Sequence, residues 1–132
     1  MSRFPTLILS VTALTLTASY AALAQTAPPS YEGDPDVYKV IFEDQNFRVI
    51  AATWTKGTTD KPHGHPLPFV VYSLDDCTLR LHNPDGTTRD SVSKAGTAFA
   101  GPPTASHTAE NISEADCRVR RAASPASRTP RP

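Results

Sequence analysis

Imidazole carries most of the chemistry this sequence could do. The chain has four histidines, His63, His65, His82 and His107. Two of them stand in Lys61-Pro62-His63-Gly64-His65-Pro66. On an extended backbone, alternate side chains leave the same face, so a His-x-His pair points both rings to one side. That is the geometry for two nitrogens on one ion, and Gly64 between them removes bulk and lets the backbone turn. His107, in Ser106-His107-Thr108-Ala109-Glu110-Asn111, follows a Gly-Pro-Pro turn at residues 101–103 and offers a third donor. Neutral imidazole suits Zn, Fe, Ni and Cu, and three such ligands leave positions open for water or substrate. His-x-His alone also describes two exposed loop histidines. His82 ends a polar strand face beside a turn, where a solvated ring is the ordinary state. No Gly-x-Ser-x-Gly elbow supports a hydrolase triad, and no glycine-rich loop precedes a helix as phosphate binding requires.

The rest of the chain sets compartment and scale. Met1-Ser2-Arg3, an uncharged apolar and threonine-rich run over 7–16, and Ala22-Leu23-Ala24 form the pattern of a cleaved secretory leader over residues 1–24. The mature protein is expected to be exported, periplasmic or secreted, with no stable membrane span. What remains is one small domain. Thirteen basic residues balance thirteen acidic ones, which gives no pull toward nucleic acid. Arg118, Arg120, Arg121, Arg128 and Arg131 read mostly as a solvated basic tail. Cys77 and Cys117 are expected to pair in an oxidising compartment, with two buried free thiols as the competing reading. Residues 25–36, rich in Pro and acid, read as a linker. Residues 122–132, with no apolar pattern, read as a disordered tail. The folded unit is then 37–121.

Within it, short runs rich in β-branched and aromatic residues alternate with turns. Strands are expected over 37–43, 47–55, 69–74, 77–81, 87–93, 97–100, 107–112 and 118–120, with 69–74 central. Cys77, Leu79 and Leu81 share a face. Asn83-Pro84-Asp85-Gly86 is a turn, and 87–93 is a polar, edge-like strand that could pair two copies. No segment after the leader keeps a helical period. Many short strands with Gly and Pro turns make an all-β sandwich or barrel.

Gly57, five residues and His63-x-His65 resemble the first motif of the cupin superfamily. Lys94-Ala95-Gly96, the segment from Gly96 to His107, and His107-x-x-x-Asn111 resemble its second. The likeness spans about residues 40–120. It implies a single-domain jelly-roll β-barrel with a divalent ion (Fe, Mn, Zn or Ni) held by His63, His65 and His107 at its mouth. Phe69, Val70, Tyr72 and Asn111 are the candidates for lining the pocket. The sequence departs from the pattern where a Glu ligand follows the second His, since Phe69 and Val70 stand there. Asp76 and Cys77 lie where the first motif closes on Gly, and Lys94 replaces the Pro of the second. Glu110, nearest in sequence, would leave the opposite strand face from His107. The departure weakens oxalate-type and germin-type chemistry and leaves a three-His site similar to that of thiol dioxygenases. Three functions follow as expectations: a metal-dependent oxidoreductase or dioxygenase on a small molecule, or a non-catalytic barrel binding a sugar or hydroxy acid with weak or no metal. A scaffold for partner contacts, as a homodimer, is the third.

Overall fold

The computed structural model describes residues 26–125; the expected leader lies outside them. Nine strands carry the fold: β1 (Tyr38–Glu43), β2 (Arg48–Trp54), β3 (His63–His65), β4 (Phe69–Ser73), β5 (Cys77–His82), β6 (Thr88–Ser93), β7 (Ala98–Gly101), β8 (Thr104–Asn111) and β9 (Cys117–Ala123). A single helical turn, α1 (Ser30–Gly33), precedes them. The strands form two antiparallel sheets in the orders β1-β2-β9-β4-β7 and β3-β8-β5-β6. The 69–74 run is indeed interior to its sheet, and the polar 87–93 run is an edge. Ile50, Ala52, Trp54, Val71 and Val119 from the first sheet pack on Cys77 and Ala109 from the second. No helix of the described residues is long and apolar enough to cross a membrane.

Cys77 and Cys117 form a disulfide across 40 residues of chain. It joins the first residue of β5, in one sheet, to the first residue of β9, in the other.

Three expectations need correction. The stretch read as a linker is packed onto the barrel: Ala27 N–H donates to Ala105 O, Gly64 N–H donates to Pro28 O, and Ser30 and Asp34 are buried. The folded unit does not stop at residue 121, because β9 pairs with both β2 and β4 through Ala123. Arg121 is not part of a solvated tail but is buried within that strand.

Candidate metal centre

The two ends of the site come from strands that are hydrogen-bonded neighbours. β3 lies against β8 with His63 opposite His107 and His65 opposite Thr104, so β8 carries one extra residue across the histidine pair. Such a bulge bends its strand and re-aims the side chains beside it. Gly64 allows the approach. A Cβ there would stand 2.7 Å from Ala105 O and 3.1 Å from Ala27 O, both backbone atoms. The glycine is needed for close packing on both sides rather than for a turn.

The three rings converge. His107 Nε2 lies 3.0 Å from His63 Nε2 and 3.1 Å from His65 Nε2. Donor nitrogens of all three lie within 4.8 Å of one another. His63 is fully buried, His65 nearly so, and His107 partly. Burial is the first cause that lowers all three pKa values. His65 falls to about 2, helped by the charge of Arg121, His107 falls to about 4, and His63 is lowered against the pull of Asp60.

Their outer partners fix which nitrogen faces inward. His63 Nδ1–H donates to Lys61 O at 2.9 Å, which leaves the Nε2 lone pair for the centre. His65 Nδ1 faces an Arg121 Nη1–H at 2.8 Å. A guanidinium only donates, so this Nδ1 accepts and the neutral ring carries its proton on Nε2. His107 Nε2, about 3 Å from both other inward nitrogens, cannot be satisfied against both by the protons these partners leave. A cation among them would resolve that conflict at His63 and His107 directly. At His65 it also requires Arg121 to turn from Nδ1, so the donor set fits an ion with one adjustment.

Beneath the rings lies a network that no sequence motif announced. Asp60 Oδ2 accepts from Tyr38 Oη–H at 2.6 Å and Trp54 Nε1–H at 2.9 Å, while Oδ1 accepts from Ala109 N–H at 2.6 Å. Tyr38 Oη also stands 3.2 Å from His63 Nε2.

Beside the rings is a cavity of about 210 Å³, lined by His65, His107, Phe69, Val71, Leu79 and Arg121 among others. Phe69, where the resemblance would place Glu, puts its ring 4.6 Å from that of His65 and 5.2 Å from the Arg121 guanidinium carbon. Gly101, opposite Phe69 in the sheet, has no side chain to obstruct that ring. Val70 and Tyr72 do not line the cavity: Val70 and Tyr72 point outward on β4, since Phe69 and Val71 take the inner face. Asn111 does not line it either. It is buried in the wall, donating to Trp54 O and Ala115 O and accepting from Ser113 N–H. His82 pairs with Glu110 at 3.0 Å, away from the three rings.

Comparison with solved structures gives a likeness for this arrangement. A cupin domain from Bordetella pertussis Tohama I superposes with a TM-score of 0.62 at 19% identity, covering 76% of this chain and 97% of that one. The barrel has the cupin fold. The polyketide cyclase RemF from Streptomyces resistomycificus, also of similar architecture, gives a TM-score of 0.52 at 19% identity over 74% of this chain and 68% of its own. No family model and no curated protein matches the sequence. Within the cupin barrel, three histidines are gathered as the motifs implied, while the carboxylate position is aromatic.

The burial of the rings makes an acid-stability prediction for metal-free protein. Folded pKa values below the unfolded value of about 6.5 mean that the unfolded chain takes up protons first as pH falls. Stability is complete above about pH 6.5 and is lost progressively toward about pH 4 for His107 and lower for His65. One such group costs about 1.4 kcal/mol per pH unit, so His65 alone removes about 2 kcal/mol by pH 5. Urea unfolding of chelated protein at pH 7.5 and pH 5 should show at least that loss. Equal stabilities would mean that the rings are not held neutral.

Proposed function

We propose that this cupin barrel is a divalent-metal centre acting on a small molecule, in a protein exported from the cell that makes it. One observation carries the reading: imidazoles from β3 and β8, distant in sequence, turn their Nε2 atoms together at the edge of a largely apolar cavity. Bound there, a divalent ion would supply Lewis acidity and open positions for O2 or an oxygenated substrate. The chain's own part is to hold and to shield. His63, His65 and His107 are the ligands, Lys61 O orients His63, and Phe69 keeps an apolar group where a carboxylate would otherwise bind. The interior disulfide suits an oxidising compartment.

Titration of stripped protein with Fe(II), Mn(II), Ni(II) and Zn(II) should reach one equivalent. His107→Ala should bind at least roughly a hundred-fold more weakly, more than the loss of an outer partner costs. Unchanged affinity in that variant overturns the assignment. The second reading, a binding barrel without chemistry, is favoured by the donor set: the nearest carboxylate, Asp60, is already engaged by three donors. Oxygen uptake by Fe(II)-loaded protein with thiol, diketone and phenolic substrates separates the two. Turnover supports the enzyme, and a ligand-induced rise in melting temperature without turnover supports the binder.

A further inference from the structure

The cavity beside the histidines is built around positive charge that the described residues do not balance. Arg121 is only 9% exposed. Its Nη1 and Nη2 donate to His65 Nδ1 and to Ser30 Oγ, both neutral, and its Nε has no hydrogen-bond partner. Among the described residues no carboxylate forms an ion pair with it. A buried guanidinium without an anion is costly, and the ring of Phe69 offsets only part of that cost. Such a group is retained where something outside the chain completes it.

A second arginine, exposed rather than buried, faces the same cavity. On β6 the residues lining the cavity are Arg89, Ser91 and Ser93, while Asp90 leaves the other face to pair with Arg80. Arg89 is exposed and forms no ion pair among the described residues. It lines the same cavity as His65 and His107, on the sheet facing an apolar wall that includes Phe69, Val71, Phe99 and Val119.

The geometry points to a small monocarboxylate with a compact apolar body as the ligand of this cavity, its carboxylate drawn to Arg121 and Arg89 and its body set against Phe69, Phe99 and Val71. A cavity of about 150 Å³ admits benzene. The present one, at about 210 Å³, has room for a ring of that size with a small substituent. A polar uncharged ligand such as a sugar would leave the apolar wall unpaired and the arginines uncompensated. The inference rests on the metal-centre reading for what the site does with its ligand, but the two arginines act with or without an ion.

Benzoate and benzamide, nearly equal in shape and different in charge, are the probes. Calorimetric titration of chelated protein should show benzoate binding at least ten-fold more tightly than benzamide. Isovalerate should likewise bind more tightly than isovaleramide. Arg89→Gln, at an exposed position where folding is not at stake, should reduce the preference at least five-fold. The same titrations on Ni(II)-loaded protein keep the two proposals apart: failure to load nickel with the benzoate preference intact removes the metal and leaves the carboxylate site. Equal affinity for acid and amide, no binding of either acid, a preference unchanged in Arg89→Gln, or benzoate binding that occurs only with nickel present would each overturn the assignment.

Discussion

Asp60→Ala should destabilise the barrel by about 3–5 kcal/mol, because one carboxylate terminates three buried donors. Tyr38 Oη–H, Trp54 Nε1–H and Ala109 N–H come from three different elements; the latter two are left without this acceptor, and Tyr38 keeps only the longer contact to His63 Nε2 at 3.2 Å. An unsatisfied buried donor costs about 1–3 kcal/mol, and partial relaxation keeps the total below the sum. Asp60→Asn should fall between wild type and Ala. Its amide NH2 must face either the Tyr38–Trp54 pair or the Ala109 N–H, and both are donors. The effect extends to the histidines, since Asp60 Oδ1 lies 3.7 Å from His63 Nδ1 and Tyr38 touches His63 Nε2. Urea unfolding gives the stability, and the metal titration of the same variants gives the consequence for the site. A loss under 1 kcal/mol in Asp60→Ala would show that the three donors find other partners.

Reducing the disulfide should cost nearly as much. Opening a loop of 40 residues returns entropy to the unfolded chain worth about 3–4 kcal/mol. In a domain of this size, each kcal/mol moves the melting temperature by about 4–8 °C. A fall of roughly 15–25 °C on reduction is therefore expected. Both sulfurs are buried, so reduction should be slow in native conditions and fast once the chain is partly unfolded. A Cys77→Ala, Cys117→Ala variant avoids that delay. If it melts within a few degrees of the oxidised protein, the bridge contributes little and the sheets are held by packing alone.

The strand pattern was legible because each sheet has one buried face, and the alternation survives in β2, β4 and β9. The histidine pair was legible for the same reason: two rings two residues apart on a strand must share a side. That His107 meets them depends on the pairing of β3 with β8, a contact across 44 residues that no local pattern encodes. Motif resemblance supplied it. Arg121 was missed although a trace of it was present. In Cys117-Arg118-Val119-Arg120-Arg121-Ala122-Ala123 the alternation continues, with Cys117, Val119 and Arg121 inward, but a charge at an inward place, followed by a Ser-Pro-Arg run, reads as the end of the strand. Ser30 gave no sign at all, because its partner, Arg121, is 91 residues away. The Pro-rich stretch around it has no period, and its order comes from bonds to β3 and β8 that only the finished barrel provides.

The short strand bearing the His-x-His pair has consequences for the order of assembly. β3 is three residues long and is held on one side by Pro28 and Pro29 and on the other by β8. Until synthesis has passed residue 107 and both neighbours have closed on it, the two rings hang on an unstructured strand with nothing to aim them. Contacts this remote in sequence form late. With the export proposed above, any ion the protein carries would be chosen not where the chain is made but where its folding finishes, from whatever metals that surrounding offers.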